Sequence, residues 1–406
     1  MTHRLLILLI GLLTVQATSA TGHPKYKNPT GKEFPILAWF SILPDSNLTH
    51  ERYAELREAG FNISFSHFYQ TSEVEKSLKA CDGTGVKVMV TCTDLEKNTA
   101  ECVNRFKNNR NVAGWFLRDE PTTSGFAELK AFRDRVYAAD PDHVVYLNLL
   151  PSIVPPADLG TQTYEEYVQR FVDEVNLPQI SYDFYPVVED NGKAVLRPQF
   201  FDNLENVRRV SLREGIPFWA FCLSTAHDPY PIPTDTHLRI EAFSALAYGA
   251  QCIQYFTYWT PLGTIWNFHN APIDEKGRRT NVYYRVKALN QEIQRLAWVF
   301  LGAKATSVGH TGKELPMGTT PLGQLPEKFG RVEADGQGVL VSQLENGKRR
   351  FLMVVNRDID HAQKVSIGLK KGVQRVLPDG TVEKYRQDQT VDIQLKPGDY
   401  ALFRWK

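Results

Sequence analysis

The chain carries almost no excess of charge: 47 Lys and Arg stand against 46 Asp and Glu, a formal +1 over 406 residues. That balance argues against a nucleic-acid binder, which needs a basic face. Cysteine is scarce as well. Cys81, Cys92, Cys102, Cys222 and Cys252 are odd in number, and their spacing fits no zinc or redox pattern. Cys92 and Cys252 read as small core residues, with a Cys81–Cys102 or Cys92–Cys102 disulfide open to an exported protein. No Gly-x-Gly-x-x-Gly turn follows the first apolar run, and no His-x-x-x-His pair suits zinc. No metal, no organic cofactor and no membrane span are therefore expected.

What is present is the composition of an ordinary globular protein, 42% hydrophobic and 23% charged. His3-Arg4, the apolar run Leu5–Leu13 and Thr18-Ser19-Ala20 form a signal peptide over residues 1–20. The apolar run is too short to cross a bilayer, so export to the periplasm or the outside is expected without an anchor. From residue 34 to 305, short apolar runs alternate with amphipathic segments. Eight strands are predicted, at Ile36–Phe40, Asn62–Phe65, Val86–Thr91, Val112–Leu117, Val144–Leu149, Gln179–Tyr182, Phe218–Leu223 and Cys252–Phe256. Their continuous hydrophobicity suits a parallel sheet buried on both faces. Eight strands, each followed by a helix, predict a (β/α)8 TIM barrel, with a doubly wound open sheet as its competitor. Residues 306–406 alternate apolar and polar positions between Asn346-Gly347, Asp379-Gly380 and Pro397-Gly398 turns, which predicts a C-terminal antiparallel β-sandwich.

One stretch concentrates the chemistry. Gly114-Trp115-Phe116-Leu117-Arg118-Asp119-Glu120-Pro121 runs from a buried strand straight into two acids and a proline. Pro121 ends the ladder and biases Glu120 toward an extended backbone. In a barrel, the carboxyl ends of the strands share one mouth, and acids left there are used or paired. The other strand ends add Trp39, His67, Asn148, Asp183, Tyr185, His227, Tyr258 and Trp259. Such a mouth is acidic, polar and aromatic, and suits an uncharged, hydroxyl-rich ring: a carbohydrate. Glycosidic cleavage needs two carboxyl groups, one protonated and one ionised. Glu120 is the candidate acid and Asp183 the candidate partner, with Asp94 and Glu189 behind it. Asp119, Asn148, Tyr185, His67 and His227 are expected to position the sugar, and Trp39, Tyr258 and Trp259 to give it stacking surface. The plainer reading is that Arg118 neutralises Asp119 or Glu120, or that these acids cap the helix that follows.

These residues resemble the clan A glycoside hydrolases, (β/α)8 enzymes that include many β-galactosidases, cellulases and mannanases. Asp119-Glu120-Pro121 stands where that clan has Asn-Glu-Pro, which implies that Glu120 is the general acid/base. Ser244-Ala245-Leu246-Ala247-Tyr248-Gly249-Ala250 and Tyr255-Phe256-Thr257-Tyr258-Trp259 resemble the clan's seventh helix and eighth strand, which implies sugar stacking by Trp259. The clan's nucleophile, a seventh-strand Glu, has no counterpart in Phe221-Cys222-Leu223-Ser224-Thr225-Ala226-His227, and Glu241 lies inside the next helix. An exported glycosidase, monomeric or weakly associated, is the expectation. A non-catalytic carbohydrate-binding barrel and a non-glycosidase barrel enzyme using His227 are the alternatives.

Overall fold

The structure is a computed structural model that describes residues 22–406; the signal peptide expected at 1–20 lies outside the described residues. Eight parallel strands form the first sheet: Ile36–Trp39, Ile63–Phe65, Lys87–Val90, Val112–Asp119, Val144–Asn148, Ile180–Tyr182, Phe218–Leu223 and Cys252–Phe256. They neighbour one another in barrel order, with the first strand paired to both the second and the eighth. A parallel bridge between Leu149 and Tyr182 joins the fifth strand to the sixth, which closes the barrel. The eight expected strands are the eight observed ones, and the open-sheet alternative falls with that closure.

Alternation along each strand sorts side chains into two cores. Leu37, Trp39, Phe65, Phe116, Tyr146, Trp219 and Phe221 fill the barrel interior. Ile36, Ala38, Trp115, Ala220, Ile253 and Tyr255 point outward into the layer beneath the helices. Gly114 is fixed by contact, since a Cβ there would lie 2.3 Å from the Val144 carbonyl oxygen. The helix Asp235–Tyr248 is buried along almost its whole length from Leu238 onward. One side lies on the seventh strand and the other on the C-terminal sheet, where Ser342 Oγ donates to the Ala247 carbonyl at 2.6 Å. A helix covered on both sides has no reason to be amphipathic, which explains its Ala- and Leu-rich run.

The C-terminal part begins at Lys304–His310 and packs a six-stranded antiparallel sheet against a three-stranded one. Arg239 on that same helix joins the two parts, bonding Glu292 at 2.7 Å and also Asp399, while the Tyr400 hydroxyl donates to Glu292 at 2.8 Å. The sequence pattern missed one element of the barrel, the hairpin Val187–Asp190 and Lys193–Leu196 that rises from the sixth loop. All five cysteines are unbridged; the Cys92 and Cys102 sulfurs touch at 3.6 Å, and Cys81 Sγ donates instead to the Leu78 carbonyl.

Candidate active site

The fourth strand departs from regular pairing just before its end. Phe116 pairs with Tyr146, yet Asp119 pairs with Asn148, so one extra residue is inserted on the fourth strand. A bulge of this kind re-aims the side chains that follow it. Glu120 then adopts φ +46°, the left-handed region, while its N–H donates to the Asn148 carbonyl at 2.9 Å. The extended backbone expected ahead of Pro121 is not found. The Tyr167 hydroxyl holds the turn by donating to the Pro121 carbonyl at 2.5 Å. Consecutive residues of a strand normally face opposite ways. Bulge and left-handed turn together aim both Asp119 and Glu120 into the mouth, and strain of this type gathers at functional sites.

Arg118 is committed elsewhere, at 3.1 Å from Glu96 and 2.9 Å from Glu128 on the outer face. Neither Asp119, Glu120 nor Asp183 has an ion-pair partner among the described residues. Asp183 follows the sixth strand, its N–H directed at the Leu149 carbonyl. Its carboxyl lies close beside the Glu120 carboxyl, and its Oδ1 is buried without a partner. Asp119 and Glu120 are exposed at the mouth, yet protein crowds around each carboxyl. Loss of water therefore dominates, and like charge adds to it. Burial and the Glu120 charge push Asp119 up to about 7. Burial also raises Glu120, and burial with the neighbouring Glu120 and Asp119 raises Asp183 well above the usual carboxylate range. Both members of the Glu120–Asp183 pair are therefore held above the usual carboxylate range, Asp183 the more strongly.

A buried polar chain runs up to this cluster from the barrel axis. The Tyr146 hydroxyl donates to Gln254 Oε1 at 2.6 Å, and Gln254 Nε2 donates to Ser181 Oγ at 2.9 Å. Ser181 donates to Asn148 Oδ1 at 2.9 Å, and Asn148 Nδ2 points to Asp119 Oδ1 at 3.4 Å. Asn148 is buried and committed to this chain, so it positions Asp119 instead of contacting a sugar.

The geometry corrects the expected role of Asp183. Retaining hydrolases hold their carboxyls about 5–5.5 Å apart and inverting ones about 6.5–9.5 Å. Asp183 and Glu120 are immediate neighbours that shift one another, so Asp183 stands beside Glu120 and not across from it. The reserve candidates do not fill the opposite side. Asp94 accepts from Asn98 within its own short helix, and Glu189 lies exposed on the sixth-loop hairpin. At the end of the seventh strand Ser224 and Thr225 are buried and donate to backbone carbonyls. Glu241 is behind that strand, accepting the Leu223 N–H at 2.6 Å, and burial raises it strongly.

The other side of the mouth is aromatic. Tyr185 stacks on Phe256 at 5.7 Å, and Phe256 also meets Phe40 and Phe268. His227 packs against Tyr230 at 4.7 Å and Phe268 at 4.5 Å, with Trp266 at 6.3 Å. Burial lowers His227 to about 4 and leaves its Nδ1 unpartnered, so the imidazole is neutral. His67, half-buried among Phe65, Trp39 and Phe40, is lowered by the same cause. Phe40 is the second strand-end residue in the left-handed region, at φ +45°.

Three expected stacking residues are misplaced. Trp39 is 2% exposed and forms the floor over the barrel core. Tyr258 and Trp259 are equally buried outside the barrel, Tyr258 against Phe61 at 5.4 Å and Trp259 under the Arg52 guanidinium at 5.0 Å. The inward residue of the eighth strand is Phe256, two steps from Gln254 and four from Cys252. Period-two counting from Cys252 would have found it. Phe40, Tyr230, Trp266 and Phe268 lie on irregular backbone and carried no such signal. Among the described residues one cluster of metal-ligand types occurs, Asp358, Asp360 and His361, in the C-terminal part. There Asp358 Oδ1 already accepts the N–H groups of Asp360 and His361.

The sequence matches no curated protein. Residues 127–296 match the family model of the glycoside hydrolase 42 β-galactosidases. That span is less than half of the chain; it begins after Glu120 and includes the seventh strand. The β-galactosidase of Bacillus circulans sp. alkalophilus superposes with a TM-score of 0.61 at 9% identity, over 92% of this chain and 99% of that one. A catalytic mutant of a family 42 β-galactosidase from G. stearothermophilus gives 0.59 at 8% identity, over 94% and 99%. An Anoxybacillus α-amylase gives 0.55 at 10% identity, over 94% and 99%. Against the β-galactosidase of Marinomonas ef1, the chain spans 60% of that enzyme's length. At such identities the superpositions speak for the fold. Together with the matched segment, they make this chain similar to the family 42 (β/α)8 glycoside hydrolases, and its seventh strand ends without a glutamate.

Proposed function

We propose that the protein hydrolyses O-glycosidic bonds in an oligo- or polysaccharide, with Glu120 as the proton donor. The observation that carries this reading is a left-handed Glu120 beside a second, buried carboxyl, with no cation paired to either among the described residues. A carboxyl whose pKa is raised by burial beside a second carboxyl suits protonation of a leaving glycosidic oxygen. Asp183 is the neighbour that bears on Glu120, because ionisation of both would place two charges side by side. Tyr185 and the neutral His67 and His227 offer hydrogen bonds to sugar hydroxyls, and Phe256 offers a ring face. The targeting segment at 1–20 would place this activity in the periplasm or outside the cell.

The test is a panel of aryl glycosides and polysaccharides, with Glu120→Gln beside the parent protein. Turnover should fall by about 10²–10⁴-fold in the variant while ligand binding and melting temperature stay close to the parent's. Turnover equal to the parent's would remove Glu120 from the chemistry. Sugar binding without turnover of any substrate by the parent would favour a binding barrel.

A further inference from the structure

The mouth has a proton donor and lacks a nucleophile. Cleavage with retention needs an electron pair on the face of the anomeric carbon opposite the leaving oxygen, and inversion needs a base there for water. The carboxyls brought together in this mouth are Asp119, Glu120 and Asp183, at the ends of the fourth and sixth strands, while Asp228 beside His227 is exposed and accepts from Asn267 Nδ2 at 3.1 Å. Across from them stand Phe256, His227 and the buried hydroxyls of Ser224 and Thr225, which are tied to the backbone. The remaining source of an internal nucleophile is the substrate.

Asp119 is equipped for that case. It is next to Glu120 in sequence, faces the same space, and receives one side-chain hydrogen bond, the long one from Asn148 at 3.4 Å. Its other oxygen is available to accept an N–H. The Tyr185 hydroxyl senses the charge of all three carboxyls and belongs to a ring stacked on Phe256, so it brings a neutral O–H donor into the same space. A carboxylate that accepts, a hydroxyl that donates and an aromatic surface beside them complement a secondary amide carrying a methyl group. On a sugar, an acetamido group at C2 sets its carbonyl oxygen within reach of C1, where ring closure has the advantage of an intramolecular reaction.

We propose that the substrate is a 1,2-trans 2-acetamido-2-deoxyglycoside whose own carbonyl oxygen is the nucleophile, held by Asp119 and Tyr185. This rests on Glu120 being the proton donor. In the first step the acetamido oxygen bonds to C1 as the C1–O bond to the leaving group breaks. The Glu120 proton passes to the leaving oxygen, and the amide N–H proton passes to Asp119, leaving a neutral bicyclic oxazoline. Water then adds to C1 and gives its proton to the Glu120 carboxylate. The C1–O bond of the oxazoline opens as Asp119 returns its proton to nitrogen. One water is consumed and the anomeric configuration is retained. An Asp119 carboxyl that titrates near 7 can both accept and return that proton.

The experiment compares aryl 2-acetamido-2-deoxy-β-glucosides and β-galactosides with the same glycosides bearing a 2-hydroxyl. Turnover should be confined to the acetamido series and fall by more than about tenfold when the acetamide is trifluorinated, because its oxygen becomes a poorer nucleophile. Asp119→Asn and Asp119→Ala should lower turnover by about 10²-fold or more, with melting temperatures recorded to exclude misfolding. A thiazoline mimic of the ring-closed intermediate should inhibit at concentrations well below those at which substrate binds. Efficient turnover of the 2-hydroxy series, still abolished by Glu120→Gln, would overturn this inference and leave the proposed function standing. Insensitivity to trifluorination would also overturn it. Turnover of either series unchanged by Glu120→Gln would overturn both.

Discussion

The two sides of the mouth answer to different physics. On the side of the fourth to sixth strands, three carboxyls crowd together without a cation, and a bulge and a left-handed residue hold two of them inward. On the side of the seventh, eighth and first strands, rings pack on rings, and His227 among them is kept neutral. The acidic side carries an arrangement that costs stability, since each carboxyl disfavours the ionisation of the next. The aromatic side gains from burial and needs no special backbone at Phe256. An arrangement costly in one half and comfortable in the other is consistent with the proposed function, with chemistry in the first and grip on substrate in the second.

Substitutions can break that division. Asp183→Asn should have the largest effect, lowering turnover by about 10²-fold at neutral pH. Asp183 is the member of the pair that its like-charged neighbours raise most, so its replacement should change the position of the pH–rate profile. A profile unchanged in position would detach Asp183 from the proton. Trp259→Ala and Phe256→Ala test the aromatic side as a pair. Trp259, buried outside the barrel under Arg52, should cost about 3–5 kcal/mol in denaturant unfolding when truncated, with KM preserved in the folded fraction. Phe256 borders the mouth, so its loss should raise KM by about tenfold with a smaller change in stability. A reversed pattern would restore Trp259 as the sugar platform.

The smallest effect sharpens the electrostatic half. Asp119 ionises near 3.8 when unfolded and near 7 when folded, so the folded state binds the extra proton across that window. Its contribution is complete below about 3.8 and is lost as pH rises through 7. Asp119→Asn should therefore raise the melting temperature at pH 8 relative to the parent by more than it does at pH 4. An equal shift at both values would place the cost elsewhere.

The legibility of this molecule followed the regularity of its backbone. The eight barrel strands were readable because strands buried on both faces are continuous apolar runs, and the acid motif because it interrupts one. Trp259 misled because strand alternation stops at Phe256, and the next residues leave the barrel. The sixth-loop hairpin and the residues Phe40, Tyr230, Trp266 and Phe268 gave no periodic signal, since loops are placed by the scaffold around them.

The sequence by itself determined the alternation of strands and helices, the change of texture near residue 306, and the absence of a seventh-strand glutamate. Each is a matter of residue type at a position along the chain. Only the tertiary structure decided that Asp183 lies against Glu120, that Arg118 turns away to Glu96 and Glu128, and that Asp119 faces inward beside its neighbour. Those outcomes depend on one inserted residue in a strand pairing and on closure between the fifth and sixth strands. Both are set by contacts distant in sequence, where no local pattern reaches.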